Sequence, residues 1–304
     1  MTILTKYNNG NTTVTIMGDG TKVREYNNEP LPVFPESIDC KITNMCSGNL
    51  GKPCLWCHEN STPNGKHADL NKLIDVITDL PAGVEIACGG GDTFSHPNLY
   101  SFLIALKGKG LIVNATINSM HIKKHKDNVI KYLNEGLIHG LGITYSNKFR
   151  GNIDYIIDKS NNIVFHLVMG INILEDLEYL YTYSKDRNCI CKVLILGYKQ
   201  FRSGISFYDK TPGIEENKNK WYREIRKFFG KPGLVISFDN LAIEQLNLKR
   251  FFTDKSWDKF YMGDDGDFTM YIDAVNECYA RSSTSHNRKS FDEYSILSFF
   301  GGLR

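Results

Sequence analysis

Short β-branched runs alternate with longer amphipathic ones from residue 37 to residue 200, and this alternation constrains the fold more than any other feature of the chain. The β-rich runs fall at residues 37–43, 84–88, 111–117, 138–145, 162–169 and 192–198. Between them, segments at 68–80, 98–107, 123–134, 153–159 and 173–186 carry apolar residues near helical spacing. In the first of these, Leu70, Leu73, Ile74 and Ile77 share one face and Pro81 ends the helix, so a strand must follow at once. Strands separated by helices pair in parallel through right-handed crossovers. Six such strands predict an α/β fold, a partial (β/α)6 barrel whose strand C-termini share one rim. Active sites of such architectures sit on that rim.

The flanks differ. Thr12 to Ile16 and Lys22 to Tyr26 are β-like around Gly18, Asp19 and Gly20, which predicts an N-terminal β-hairpin within residues 1–36. Beyond residue 200, a helix at 220–229, a strand at 234–238 and a hairpin over 260–280 around Gly263 to Gly266 predict a C-terminal α+β capping region. The expected division is therefore 1–36, 37–200 and 201–304. With 41% hydrophobic and 23% charged residues, the chain reads as a soluble protein. A net charge of +2 gives no overall attraction for nucleic acid or a membrane surface, though a local basic groove would not show in the total. The N-terminus lacks the basic-then-apolar order of a signal peptide, and no apolar run nears the roughly 18 residues of a membrane span. The expected location is the cytoplasm.

Eight cysteines without a secretory signal read as thiols or metal ligands rather than a disulfide framework. Cys46, Cys54 and Cys57 group in the loop after the first strand, with Trp56 just before the last and His58 after it. Their thiolates would project onto the barrel rim and suit either an iron–sulfur cluster or zinc. A [4Fe–4S] cube held by three thiolates leaves one iron open to a small molecule. Zinc would recruit His58 as a fourth ligand, an awkward set because structural zinc ligands come in separated pairs. The second strand ends in Gly89, Gly90, Gly91, Asp92 and Thr93, where bare backbone can approach a ligand closely. The same glycines would also serve an ordinary tight turn.

Together, the cysteine loop and the glycine stretch resemble the radical S-adenosylmethionine superfamily. The usual family loop places three residues between the first two cysteines and two before the third, with an aromatic preceding the last. Cys54, Leu55, Trp56 and Cys57 match the second half, whereas seven residues, Ser47 to Pro53, fill the first. Gly89-Gly90-Gly91-Asp92-Thr93 is similar to the family's GGGEP stretch. The resemblance covers residues 37–200 and implies a [4Fe–4S] cluster on Cys46, Cys54 and Cys57 that binds S-adenosylmethionine and cleaves it reductively. The resulting 5′-deoxyadenosyl radical would abstract hydrogen from an unidentified substrate. By the same resemblance Trp56 would lie near the adenine, and Gly89, Gly90, Gly91 and Asp92 would meet the methionine amino group. An electron donor such as a flavodoxin or ferredoxin is the implied partner.

Other strand ends carry further candidates. Asn118 and Ser119 end the third strand and Ser146 the fourth, at the height where ribose hydroxyls or the methionine carboxylate would fall. His166 and Met169 could face adenine or substrate, and Lys199, Gln200 and Arg202 could bind an anionic group. Asp239, Asn240, Tyr279, Arg281, Ser282, Ser283 and Ser285 are candidates for the substrate side. Cys189, Cys191 and Cys278 leave an auxiliary cluster open, against the alternative of small buried apolar residues. Two rivals remain at this level: a zinc-stabilised α/β binding protein whose cysteines pin a loop, and a barrel enzyme whose cysteines are incidental.

Overall fold

The computed structural model describes residues 2–160 and 162–303. The chain opens with a three-stranded antiparallel sheet, β1 (Ile3–Asn9), β2 (Thr12–Met17) and β3 (Lys22–Glu25). The expected hairpin is β2–β3, and β1 is an added strand whose polar residues hide its pattern. It is tied down at Asn9, which is fully buried. The Asn9 Nδ2 donates to Phe34 O at 2.9 Å, and its Oδ1 accepts from Val33 N at 2.8 Å. Val14 and Ile16 pack on Ile112, so the small sheet closes the bottom of the main sheet's curve.

The main body alternates as the sequence predicts: β4 (Ser37–Thr43), α1 (Leu70–Val76), β5 (Glu85–Gly90), α2 (Leu99–Gly108), β6 (Ile112–Asn118), α3 (Ile122–Asn134), β7 (Gly140–Thr144), β8 (Ile163–Val168), α4 (Leu174–Asp186) and β9 (Cys191–Leu196). Burial alternates residue by residue along β8 and β9. Phe165, Leu167, Val193 and Ile195 lie under the helices, while Val164, His166 and Leu194 line the lumen. Helix α2 buries Leu99, Phe102, Leu103 and Leu106 on one face, as a 3.6-residue period requires. Helix α1 is shorter than expected: Asp69 caps it by accepting from Asn71 N at 2.9 Å, and regular helix ends at Val76. The helix expected at 153–159 is instead a series of tight 3-10 turns over 147–159, kinked at Phe149 and broken at Ile156, where φ is −132°. It still buries Ile153 and Ile156.

The remaining elements are α5 (Ser203–Asp209), α6 (Gly213–Glu224), β10 (Leu234–Phe238), α7 (Asn240–Leu246), α8 (Asp254–Phe260), β11 (Thr269–Asp273), β12 (Cys278–Ala280), β13 (Arg288–Ser290) and α9 (Ile296–Gly301). They do more than cap. Strand β10 pairs in parallel with β9 and β11 in parallel with β4, giving one ten-stranded sheet of order β10-β9-β8-β7-β6-β5-β4-β11-β12-β13. The hairpin expected around Gly263 to Gly266 lies further on, as β11–β12. Phe260 closes α8, stacked on Phe252 and tilted against Trp257, and both glycines sit in the loop after it at positive φ. Among the described residues no helix is long and apolar enough to cross a membrane.

Candidate active site at the C-terminal rim of the barrel

Thr43 ends β4, and the next residues turn back on it. The Thr43 Oγ1 accepts from Met45 N at 3.0 Å, and Cys46 N donates to Thr62 O at 2.8 Å, which fixes the first cysteine at the rim. The seven residues that follow fold on themselves. Asn49 and Lys52 exchange two backbone hydrogen bonds, 3.0 and 3.1 Å, around Leu50 and Gly51, whose φ values are 52° and 80°. Positive φ at both central positions is the signature of the tightest hairpin turn. The extra length is thus looped out, with Leu50 93% exposed at its tip, and Cys54 returns to the same cavity as Cys46. A short turn, Cys57 N to Cys54 O at 3.1 Å, brings in the third thiol.

Cys46, Cys54, Trp56, Cys57 and His58 line a cavity of about 190 Å³ with Gly90, Gly91, Asn118, His121 and Lys199. It sits at the C-terminal ends of β5 to β9, where a barrel places its chemistry. The glycines are demanded by packing as well as by access. A side chain on Gly90 would put its first carbon 2.1 Å from Thr43 O, and one on Gly91 would be 2.2 Å from Met45 O. Their backbones therefore lie directly against the start of the cysteine loop, with Gly91 N donating to Thr43 O at 2.7 Å and Asp92 N to Met45 O at 2.8 Å. The missing side chain of Gly89 faces open space.

Burial, and after it the neighbouring Cys57 and Cys46 thiols, pushes the Cys54 thiol up to about 12. Cys46 is also raised, chiefly by burial. Such thiols hold their protons until a metal replaces them, so the donor set suits a cationic inorganic centre. Among the described residues, no group of three or more His, Cys, Asp or Glu side chains converges tightly enough to hold a single metal ion. A lone zinc needs all its donors within about 2.3 Å of one point. A cube spreads its thiolates over separate irons, and Cys46, Cys54 and Cys57 all line one cavity.

Several expected residues stand elsewhere. Asp92 does not line the cavity: its buried carboxylate accepts from His125 Nε2 at 2.9 Å and pairs with Lys124 Nζ at 3.2 Å. Burial would raise that carboxyl, but the His125 hydrogen bond and the His121, His125 and Lys124 charges hold it below its ordinary value. Ser146 lines a neighbouring cavity of about 440 Å³, which shares Trp56 with the first. Ser119 is fully buried at the head of a turn. His166 faces the lower lumen, with Asp39, Asn114 and Leu194, rather than the rim. Met169 and Tyr279 are core residues, each 1% exposed. Cys191 is buried in the core at the start of β9 beside the half-buried Cys189.

Residue patterns alone did not single out Met120, Thr116, Thr144 or His121 for the rim cavity. His121 is the notable one, with Nε2 3.5 Å from Cys46 Sγ. Its only sequence signal was its place just after the third strand. Lys199 lines both the rim cavity and a cleft of about 610 Å³ between β10 and β11, where Asp239, Asn240, Arg281, Ser282 and Ser283 also lie. Its Nζ donates to Ser283 Oγ at 2.8 Å.

No protein-family model matches the sequence, and no curated protein matches it significantly. Solved structures do match. SuiB of Streptococcus suis bound to S-adenosylmethionine superposes with a TM-score of 0.60 over 90% of this chain and 68% of its own, at 12% identity. SuiB bound to the precursor peptide SuiA gives 0.59 at 13% identity, over 90% of this chain and 67% of that one. anSMEcpe with bound AdoMet and a Cp18Cys peptide gives 0.53 at 10% identity, over 87% and 80%. The chain thus spans about two thirds of the length of SuiB. SuiB and anSMEcpe are radical S-adenosylmethionine enzymes, and this chain shares their fold.

Proposed function

We propose that the protein is a radical S-adenosylmethionine enzyme. One observation carries the reading: three cysteine thiols and the bare backbone of Gly90 and Gly91 line one cavity at the strand C-termini, on a fold that SuiB uses with S-adenosylmethionine bound. Cys46, Cys54 and Cys57 would hold a [4Fe–4S] cluster. When bound, the cluster supplies the electron that splits S-adenosylmethionine into methionine and a 5′-deoxyadenosyl radical.

The protein's part is to hold and shield. The Gly90–Gly91 edge offers backbone groups to the methionine end of the cofactor, and Asn118 adds a polar side chain on the same wall. Trp56, with its ring 5.7 Å from Phe207, offers an aromatic face for the adenine. Asp92 supports this edge from behind through α3 rather than touching the cofactor. Leu196 and Val168 line the cavity's apolar side and help to keep water from a reactive species. The substrate enters through the cleft between β10 and β11, which meets the rim cavity at Lys199. Bound peptides in SuiB and anSMEcpe make peptides the first class to screen. A flavodoxin or ferredoxin in the cytoplasm would supply electrons.

Anaerobic reconstitution with iron and sulfide tests the reading. The protein should turn brown and hold about four iron per chain, and Cys54→Ala should lose most of that iron. A colourless protein retaining one tight zinc would instead support a structural metal site.

A further inference from the structure

The cysteine loop carries a buried carboxylate that no sequence pattern flags. Glu59 follows the Cys57-His58 pair and is 7% exposed, yet it meets partners from three other parts of the fold. Its Oε2 lies 3.2 Å from Lys41 Nζ on β4 and 3.2 Å from Arg202 Nη1, beyond β9. Its Oε1 accepts from Tyr271 OH on β11 at 2.9 Å and lies 3.4 Å from His58 Nε2. Arg202 Nη1 also reaches His58 O at 3.5 Å, and Ser203 N donates to Asn60 Oδ1 at 3.2 Å, so both neighbours of Glu59 are held from the same side.

We propose that Glu59 is the positioning residue that holds the Cys54–Cys57 turn in its cluster-ready shape before any metal arrives. The proposal rests on the functional reading above only for what the loop is positioned for. Three features make Glu59 the hub. It is the one side chain of the loop that joins β4, β11 and the segment after β9, which belong to opposite ends of the barrel sheet. Buried charge pairs fix geometry when their lone pairs are all used, and both Glu59 oxygens are. The neighbouring half of the network stands without it: Lys41 Nζ keeps Asp273 Oδ2 at 3.2 Å, and Arg288 Nη1 keeps the same oxygen at 3.3 Å. Removing the Glu59 charge should therefore release the loop without dissolving the β4–β11 seam.

The test compares Glu59→Gln and Tyr271→Phe with the wild type as full-length chains, metal-free and reconstituted. Metal-free Glu59→Gln should lower the thermal midpoint yet keep a single cooperative transition, because Lys41 retains Asp273, while limited proteolysis within residues 44–69 accelerates severalfold. After reconstitution it should lose iron to a chelator about tenfold faster, the scale of supporting residues around metal ligands. Tyr271→Phe, which removes one hydroxyl, should move both readouts in the same direction by a smaller factor. Wild-type rates of loop cleavage and iron loss in Glu59→Gln would overturn the proposal. If Glu59→Gln fails to fold, unchanged rates in Tyr271→Phe overturn it and raised rates support it. If the wild type itself takes up no iron, the enzyme reading fails, and loop cleavage in the metal-free variants still decides the role of Glu59.

Discussion

Gly91 shows how a single residue serves two purposes. Read from sequence, it is bare backbone for a ligand; in the structure its missing side chain, like that of Gly90, also lets the end of β5 lie against the cysteine loop, because a first side-chain carbon would sit 2.2 Å from Met45 O. Gly91→Ala should therefore cost about 1–3 kcal/mol of stability, the range for forcing atoms into a packed site. It should also lower iron uptake; calorimetry and iron analysis of the same sample check both. His166 gives a pH-dependent prediction. Burial lowers its imidazole from 6.5 to about 4, so above 6.5 it is neutral folded or unfolded. As pH falls through 6.5 the unfolded chain takes a proton that the folded chain refuses until about 4, and stability drops across that window. His166→Gln should lose less stability than wild type over the same window, read from thermal midpoints of the metal-free protein.

At the level of elements, six strands of the barrel were legible because each is a run rich in β-branched and apolar residues, and Pro81 and the glycine turns punctuate them. The cysteine trio was equally legible, since thiols in that grouping have little other use. What escaped were pairings with no local signal. The polar β1 owes its place to Asn9 and to β2, and β10 and β11 owe theirs to the free edges of β9 and β4. The Lys41–Asp273 pair spans 232 positions and has no periodicity to betray it. The long spacer between Cys46 and Cys54 is the opposite case: its departure from the family pattern was visible, and its turn returns Cys54 to the cavity that Cys46 lines. Deleting Asn49, Leu50, Gly51 and Lys52 leaves Ser47, Gly48 and Pro53 between the cysteines. Because Asn49 and Lys52 bond to each other, the shortened protein should bind iron as the full chain does; a colourless product would show that the hairpin shapes the site.

For the whole molecule, the C-terminal strands complete the sheet that presents the site. Strand β11 covers the β4 edge, and Asp273 on it faces the buried Lys41. A chain truncated before β11 would expose that edge and leave Lys41 without one partner, and it should lose its cooperative thermal transition. The lumen, the rim cavity and the lateral cleft then form one continuous arrangement around Asp39 and Lys199: Asp39 lines the lumen and the cleft, and Lys199 lines the cleft and the rim. The central claim is that this rim splits S-adenosylmethionine. Its most direct test is the release of 5′-deoxyadenosine by anaerobically reconstituted, dithionite-reduced protein, followed by chromatography. Wild type should form it steadily and Cys54→Ala should not. A wild-type protein with about four iron per chain that leaves S-adenosylmethionine intact would contradict the account.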